Sequence, residues 1–442
     1  MNSNLVGLRG FVIDAPDFGT LRSDPDGAVV FQNGKILARG NFDKVRALIA
    51  EPIQWREESG LAILPGLIDC HTHLPQYPAV ARGESELMPW LRDVIFPLER
   101  AFTAERAQEE APRFFQELAR NGTTMAAIFT AIYEESCDAV FTAAEASGLR
   151  AIIGKMMMDI GSYGQLQPTE VLAVSLEESE RLCRKWNGAD DGRIDYAFSP
   201  RFAVTCSEPM MRRAAELATK FNAYLQTHLA ENQTEITTVW ELFPDADDYT
   251  GVYEHCGMLG SRTILGHCLH LSAREIRAIA AGGASVAHCP TSNLFLGSGL
   301  FKLEQFTEAG IPVGLGSDVA AGPELNIWQV MRAAIEVQKA RACYERGERG
   351  LRPAEAFYLG THGGARALGK SNTIGTLEVG RDADVTVVDL ARVRPYHEHA
   401  TGELSAEDVI ALCIYRARPE STVATYVRGR CIYERNSHQS YE

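Results

Sequence analysis

Two histidines separated by one residue, His71 and His73, are the first candidates for chemistry in this chain. They end an apolar run that begins at Ala62, and a buried run of this kind predicts a strand. Residues i and i+2 of a strand share a face, so both imidazoles are expected to point the same way. Two converging imidazoles are typical of half of a metal site, since zinc binds histidine nitrogen at about 2.0–2.1 Å. Taken alone, the pair is equally compatible with two histidines that bind neighbouring carbonyl groups.

Seven further strand-like runs follow, and segments such as 208–221 and 273–281 between them carry apolar residues at helical spacing. Alternation of strands and helices predicts parallel strands, and eight such units predict a (β/α)8 TIM-like barrel. In such a barrel, functional side chains lie at the C-terminal ends of the strands. The eight runs are residues 62–70, 123–129, 151–156, 194–198, 224–227, 263–266, 284–287 and 312–316.

The two ends of the chain predict a small β-sandwich domain. Near the N-terminus, two apolar runs flank Asn33-Gly34, and Asn-Gly between such runs is a strong hairpin signal. Similar runs occupy residues 383–388 and 425–433, the latter turning at Arg428-Gly429-Arg430. We therefore predict a discontinuous small domain, residues 1–60 and 375–442, and a barrel domain of residues 61–374.

Polar residues follow the predicted strands where a barrel active site requires them. They are His71 and His73 after the first strand, Arg201 and Phe202 after the fourth, His228 and Glu231 after the fifth, His267 after the sixth, His288 after the seventh and Asp318 after the eighth. A plausible set of nitrogen and oxygen ligands for one zinc, with a position left for water, is His71, His73, His228 and Asp318. Zinc lowers the pKa of a bound water to about 7, which makes hydroxide available at neutral pH.

Glu231 lies three residues beyond His228 and is expected to overhang the metal. A carboxylate there can take a proton from the water and hand it to the substrate, although a solvated loop charge is the alternative. His267 is interpreted as a polariser of the water or the substrate, or else as a buried hydrogen-bonding residue. For His270 and His288 we favour structural roles.

Composition excludes several other classes of protein. The chain has 442 residues and a formal net charge of -15, which argues against a nucleic-acid partner. The N-terminal residues lack the pattern of a signal peptide and no apolar stretch approaches the ~20 residues that span a bilayer, so a cytoplasmic protein without membrane contact is expected. The ten cysteines include no C-x-x-C pair, and a small buried apolar role is expected for Cys70, Cys206, Cys268 and Cys289.

Together these motifs resemble the amidohydrolase superfamily and, more narrowly, its guanine deaminases. The resemblance runs nearly end to end and includes both flanking β segments. The superfamily pattern is carried by residues 65–73, His228, 266–268 and 316–318, and the narrower pattern by residues 74–77, 90–91, 96–99, 154–159, 200–202, 227–232 and 287–301.

The resemblance implies the function of each site residue. It implies one zinc per chain held by His71, His73, His228 and Asp318, with Glu231 as the proton shuttle and His267 and Asp318 assisting the water. It implies that Gln76 and Arg201 hold the carbonyl edge of a purine while Phe202 packs nearby, and that the protein is a homodimer. Arginine offers a rigid fork of donors and glutamine a donor and an acceptor, which suits such a ring.

Relatives that bind two metals carry a carbamylated lysine at the end of the fourth strand. Here that end reads Ser199-Pro200-Arg201, and Lys155 belongs to the third strand, so a single metal is favoured. The residues from Leu74 to about Phe102 form a long insertion after the first strand. Its apolar side chains are expected to close over the bound base and exclude water, namely Leu87, Met88, Trp90 and Leu91.

One segment departs from the guanine deaminase pattern, since Val319-Ala320-Ala321-Gly322 leads into Pro323-Glu324-Leu325. The leading hypothesis is zinc-dependent hydrolytic deamination of guanine to xanthine and ammonia. The enzyme alternative keeps this chemistry but changes the ring to a pterin, 8-oxoguanine or a triazine. The alternative from another class is a metal-free scaffold that only binds partners. Zinc deaminases of the cytidine deaminase type need Pro-Cys-x-x-Cys, which this chain lacks.

Overall fold

The computed structural model describes residues 5–49, 52–57, 60–83, 86–161, 168–345, 349–395 and 404–435. Its strands are β1 (Val6–Asp17), β2 (Thr20–Gln32), β3 (Lys35–Asn41), β4 (Gln54–Arg56), β5 (Leu61–Pro65), β6 (Leu67–His73), β7 (Thr123–Phe129), β8 (Arg150–Gly154), β9 (Met156–Met157), β10 (Ile194–Pro200), β11 (Tyr224–Leu229), β12 (Thr263–His267), β13 (Ser285–His288), β14 (Val313–Leu315), β15 (Val385–Asp389), β16 (Thr422–Val427) and β17 (Arg430–Glu434).

The helices lie mostly between the strands of the barrel. They are α1 (Phe42–Leu48), α2 (Leu87–Trp90), α3 (Phe96–Arg100), α4 (Ala104–Arg120), α5 (Glu134–Ser147), α6 (Pro168–Trp186), α7 (Ala189–Gly192), α8 (Glu208–Phe221), α9 (Gln233–Leu242), α10 (Tyr249–His255), α11 (Ala273–Gly282), α12 (Pro290–Phe295), α13 (Leu303–Glu308), α14 (Ile327–Tyr344), α15 (Pro353–Tyr358), α16 (Gly364–Ala367), α17 (Leu390–Val393) and α18 (Ala406–Arg416).

Eight parallel strands form the barrel in the order β6, β7, β8, β10, β11, β12, β13 and β14, as the sequence predicts. The first and eighth strands are joined just beyond β14, where the backbone N–H of Asp318 donates to the carbonyl of His71 at 2.8 Å. The side chain of Asp69 accepts hydrogen bonds from the backbone N–H and the hydroxyl of Ser317 at 2.9 and 2.5 Å. The barrel is therefore closed next to the two histidines.

Each barrel strand is buried on both faces, as expected for parallel strands covered by helices. In β7, Ala126 and Ile128 share one apolar cluster with Phe114 of α4. Met125 and Ala127, on the alternate positions, enter a second cluster. This double burial explains why the barrel strands are nearly continuous apolar runs in the sequence.

The predicted first strand is in fact two strands, and this part of the prediction was wrong. The strand is interrupted at Gly66, where a Cβ atom would lie 2.1 Å from the hydroxyl oxygen of Thr124. Before the break, β5 pairs with β1 and β15 in the terminal sheet, and after it β6 pairs with β7 in the barrel. Both segments are fully buried, so hydrophobicity alone does not mark the boundary.

Strands from both chain ends join in one sheet, in the order β17, β16, β15, β5, β1, β2 and β3, with β4 beside β1. Both predicted hairpins are present. Asn33 and Gly34 have φ angles of 51° and 80°, and Arg428 and Gly429 have 48° and 70°, as type I′ turns require. The division of the chain at residues 60 and 375 stays a prediction.

The terminal sheet curls until its two halves face each other. Phe31 of β2 and Tyr426 of β16 are separated in the sheet by three strands, yet their ring centroids are 5.4 Å apart with an edge-to-face geometry. Residues from both halves, including Leu8, Val385 and Val387, share one apolar cluster. The curled sheet thus has the two-layer character of the predicted sandwich.

Within the described residues, no helix combines the length and the apolar character needed to cross a membrane. All ten cysteines are free, and eight of them are buried. Burial raises the pKa of the Cys206 thiol to about 12 and raises those of Cys70, Cys268 and Cys289 well above the usual value. These thiols are therefore unreactive apolar groups, in agreement with the sequence interpretation.

Candidate metal centre and active site

The four predicted metal ligands converge at one end of the barrel. The Nε2 atom of His73 lies 3.2 Å from the Nε2 atoms of both His71 and His228. The Oδ1 atom of Asp318 lies 3.4 Å from Nε2 of His71 and 3.2 Å from Nε2 of His73. All four side chains are buried. The ends of the first, fifth and eighth strands thus contribute to a single cluster, as expected for a barrel of parallel strands.

His267, at the end of the sixth strand, belongs to the same cluster. One potential ligand atom from each of His71, His228, His267 and Asp318 lies within 4.8 Å of the others. The Nε2 atom of His267 is 3.7 Å from Oδ2 of Asp318 and 3.4 Å from Oε2 of Glu231. The structure therefore brings His267 beside the metal ligands and the predicted proton carrier.

The backbone around this cluster is strained. Ala230, His267 and Asp318 follow or end barrel strands and have φ angles of 49°, 67° and 47°, in the left-handed region that residues with a Cβ rarely adopt. Such conformations cost roughly 1–3 kcal/mol each and concentrate at functional sites. Gly266 has a different function, because a Cβ there would lie 2.8 Å from Cε1 of His71. Because Gly266 has no Cβ atom, the imidazole of His71 can pack against the sixth strand.

Hydrogen bonds select the tautomers of two histidines. The Nδ1 atom of His228 lies 2.7 Å from the carbonyl oxygen of Arg201, which can only accept, so Nδ1 carries the hydrogen. The Nδ1 atom of His267 lies 2.9 Å from the Oδ1 atom of Asn293, an acceptor in this amide orientation. In His228 the Nε2 lone pair therefore faces the cluster, and in His267 it is the Nε2 atom that faces it. Nε2 of His267 has no hydrogen-bond partner among the described residues.

Protonation equilibria also suit a divalent metal. Burial lowers the pKa of His71 to about 4 and that of His228 well below its usual value, so both imidazoles are neutral. Burial acts to raise the pKa of Asp318, but hydrogen bonding with His71 and His73 outweighs it and lowers the pKa well below the usual range. Neutral imidazoles and an ionised carboxylate are the forms that bind metal, so the residues present fit such an ion.

Glu231 is fully buried, so its alternative interpretation as a solvated loop charge does not hold. Burial raises the pKa of its carboxyl group to about 7, and Oε1 accepts a hydrogen bond from the hydroxyl of Ser298 at 3.1 Å. Burial lowers the pKa of His267, but the carboxylates of Glu231 and Asp318 outweigh it and raise the pKa. A carboxyl group that titrates near neutral pH beside a metal site can both accept and donate a proton.

The backbone at Glu231 is held by a second carboxylate. Oε2 of Glu235 accepts hydrogen bonds from the backbone N–H groups of Glu231 and Asn232 at 2.8 and 3.0 Å. Its other oxygen accepts from the hydroxyl of Tyr249 at 2.7 Å. Glu235 forms the capping box of α9 together with Asn232. The N-terminus of this helix therefore positions Glu231 over the cluster.

A pocket opens over the metal-type cluster. It contains each predicted substrate contact, and half of its apolar lining residues come from the insertion that follows the first strand. Its lining residues are His73, Gln76, Leu87, Trp90, Leu91, Arg201, Phe202, His228, Glu231, His267, Leu296, Asp318 and Ala321. The indole N–H of Trp90 donates to the carbonyl of Arg82 at 2.8 Å, so the residue presents an apolar ring to the pocket. Met88, also expected at this wall, packs against the apolar cluster that contains Leu87, Trp90 and Leu91 but does not line the pocket.

Besides Glu235, sequence reasoning missed three polar residues that support the site. Glu99 accepts hydrogen bonds from Gln76 and Arg201, while Asn293 and Ser298 contact His267 and Glu231. All three lie in segments that match the guanine deaminase pattern, but a pattern match does not indicate their contacts. A carboxylate directly after the apolar segment 94–98 was the one available signal for Glu99.

Several other candidates lie outside the pocket. The ring of His270 forms a 2.7 Å hydrogen bond with the carbonyl of Ser298, and His288 stacks on Phe301 at a centroid distance of 4.4 Å. The amine of Lys155 lies 3.1 Å from Glu178. Glu324, in the departing segment, is exposed and absent from the pocket lining, where Ala321 lies instead.

The family model described as Amidohydrolase family matches residues 62–432. The chain therefore belongs to the amidohydrolase family, a class of hydrolases in agreement with the closed barrel and the histidine and aspartate cluster. Within it, the chain is 36% identical over 428 residues to the guanine deaminase of Escherichia coli (strain K12), covering 96% of this chain and 95% of that protein.

Two solved structures are similar throughout. The E. coli guanine deaminase has a TM-score of 0.91 at 34% identity and covers 97% of this chain and 100% of its own. The guanine deaminase from C. acetobutylicum, with guanine bound in its active site, has a TM-score of 0.89 at 29% identity and the same coverage. These similarities confirm the predicted fold.

Proposed function

We propose that this chain catalyses the zinc-dependent hydrolytic deamination of guanine to xanthine and ammonia. The observation that carries the proposal is one buried pocket that joins the histidine and aspartate cluster to Gln76 and Arg201. The first group suits activation of water, and the second suits a flat ring with a carbonyl group. Guanine deaminases that align with nearly the whole chain support the same substrate.

The proposed zinc ligands are His71, His73, His228 and Asp318, with His267 beside them. Zinc held there would supply a Lewis acid that lowers the pKa of water, so that a hydroxide nucleophile would be available near neutral pH. The chemistry of the donor groups supports this ligand assignment, since buried neutral imidazoles with an ionised carboxylate are typical zinc ligands. The Oδ2 atom of Asp318 and Nε2 of His267, 3.7 Å apart, are proposed to orient the attacking water.

Glu231 is proposed to move the protons. It takes one from the attacking water as the new C–O bond forms and delivers it to the adjacent ring nitrogen. Glu231 then takes the second proton, from the hydroxyl group now on that carbon, and delivers it to the amine, so that the C–N bond breaks, the new carbonyl forms and ammonia leaves. The pKa of about 7 allows the carboxyl group to act in both directions, and its hydrogen bond with Ser298 orients it.

Gln76 and Arg201 are proposed to bind the carbonyl edge of guanine and so hold the amine-bearing carbon over the cluster. Phe202 and Trp90 provide apolar surface on the same pocket. Because Leu87 and Leu91 also line the pocket, bound base would be shielded from bulk water. A pterin, 8-oxoguanine or a triazine is the alternative ring, but the exposed position of Glu324 weakens the reason for proposing it.

A substrate panel tests the proposal. Ammonia release is measured with guanine, adenine, pterin, 8-oxoguanine and an aminated triazine, each over a range of concentrations. Guanine is expected to have the highest kcat/KM. Adenine carries an amine in place of the carbonyl and is expected to react as much as ~10⁴-fold less well, because buried donors would be left unpaired. A pterin preferred over guanine by more than about tenfold would overturn the substrate assignment and leave the deaminase chemistry standing.

Arg201→Ala is expected to lower kcat/KM for guanine roughly 10- to 100-fold while the zinc content stays unchanged. The expected loss follows from the removal of hydrogen bonds made by a charged group. Kinetics and elemental analysis on the same preparation measure both quantities. Arg92→Ala is the matched control, since this arginine of the insertion has a 71% exposed side chain and does not line the pocket. Wild-type kinetics in Arg201→Ala would remove Arg201 from the proposed substrate contacts.

We further propose a homodimer located in the cytoplasm, as the resemblance implies. Ten unpaired cysteines support a reducing compartment.

A further inference from the structure

Glu99 is a carboxylate with no access to solvent, and neither the sequence patterns nor the proposed chemistry gives it a function. It lies in α3, the short helix of the insertion that follows the first barrel strand. The residue does not line the pocket, but it lies directly behind two residues that do. A buried carboxylate is costly unless it is hydrogen-bonded, so its partners explain its presence.

The two oxygens of Glu99 accept hydrogen bonds from two different pocket residues. Oε1 accepts from Nε2 of Gln76 at 2.8 Å, and Oε2 accepts from Nη1 of Arg201 at 2.5 Å. Gln76 follows the first barrel strand and Arg201 follows the fourth. One carboxylate therefore links side chains from two separate parts of the barrel rim, and both are proposed to bind the carbonyl edge of the substrate.

The carboxylate also decides which way the Gln76 amide faces. An ionised carboxylate can only accept hydrogen bonds, so the amide nitrogen must face Glu99. The amide oxygen then faces the eighth-strand side, where it is 3.4 Å from the backbone nitrogen of Ala320. Without Glu99, only the long contact with the Ala320 N–H would favour this orientation, and in the flipped amide the donor and acceptor offered to a substrate would be exchanged.

Arg201 is held twice by the same helix. Besides its hydrogen bond to Glu99, its guanidinium carbon lies 5.0 Å from the ring centroid of Phe96, within the range of a cation–π contact. The guanidinium plane is thereby oriented while its remaining N–H donors stay available. The charge of Glu99 balances that of Arg201, so the pair offers donors without a net positive charge in the pocket.

We infer that Glu99 is the positioning residue for substrate recognition. It orients the Gln76 amide and the Arg201 guanidinium so that together they match a ring carbonyl and the neighbouring ring nitrogen. The inference rests on the proposed function, because it concerns recognition of the same purine edge. Glu99 does not line the pocket and is inferred to act on the substrate through Gln76 and Arg201.

The test is a double-mutant cycle on kcat/KM for guanine. In Glu99→Gln, the new amide has a single acceptor oxygen and cannot accept from both partners in the original way. We expect a loss of roughly 10- to 100-fold in the wild-type background, mainly through KM. In an Arg201→Ala, Gln76→Ala background, the same substitution is expected to change kcat/KM by less than about threefold, since the two pocket residues that it orients are already gone. A merely structural role would lower both backgrounds by the same factor, and that result would overturn the inference.

Two controls keep the outcomes separate. Asp93→Asn changes a carboxylate that is 59% exposed on the neighbouring turn and is expected to leave guanine kinetics and zinc content unchanged. Wild-type turnover of guanine is measured first: its absence would defeat the proposed function and this inference with it. If the wild type turns over guanine and the kcat/KM of Glu99→Gln lies within about twofold of the wild-type value, the inference is overturned and the proposed function stands. If Glu99→Gln does not fold, Glu99→Asp keeps the charge but cannot span both partners, and wild-type kinetics in that variant would have the same meaning.

Discussion

His228→Ala is expected to remove the metal and reduce guanine turnover to background. The substitution deletes one of three imidazoles whose Nε2 atoms lie within 3.2 Å of a neighbour, and it leaves the carbonyl of Arg201 without the imidazole N–H. The surviving imidazoles and Asp318 would surround an incomplete polar cavity. Elemental analysis and ammonia release on the same preparation measure the two losses.

The same variant is expected to unfold at a lower temperature. Metal present at a thousandfold excess over its Kd stabilises a folded chain by about 4 kcal/mol, and a variant that cannot bind it loses this contribution. A chelator should therefore lower the thermal midpoint of the wild type but not that of His228→Ala. His255→Ala is the control, because that histidine side chain is 71% exposed and lies outside the cluster. Two metals, or none, in fully active wild-type protein would contradict the single-zinc site.

Glu231→Gln is expected to lower kcat for guanine by about 10²- to 10⁴-fold without loss of metal. Glutamine has the same size and can still accept the hydrogen bond from Ser298, but it cannot carry a proton. The measurement is steady-state kinetics with elemental analysis. Glu324→Gln, at an exposed position after the eighth strand, is the control and should leave kcat unchanged. If Glu231→Gln kept most of its turnover with zinc bound, another group would have to be the proton carrier.

Local sequence patterns were sufficient for the barrel and for the cluster at its C-terminal end. Strand and helix periodicity is a local property, and parallel strands in a closed barrel bring their C-terminal ends together. Polar residues after the first, fifth and eighth strands had to converge once the strands were assigned, as His71, His228 and Asp318 do. The hairpins at Asn33-Gly34 and Arg428-Gly429 were equally predictable, because each turn type imposes its own residue preference.

Tertiary structure decided the features that depend on contacts between distant segments. The boundary between β5 and β6 at Gly66 lies inside one continuous apolar run. Because both strands are buried, residue type does not mark this boundary, and only the close approach of Thr124 does. The exposed position of Glu324 depends on the path of the chain after β14, about which residue types carry little information. Glu99 is the clearest case: its burial, and its contacts with Gln76 and Arg201, 23 and 102 residues away, arise only when the insertion folds over the barrel. Residue type and spacing therefore determined which chemistry was available, and long-range packing determined which side chains orient it.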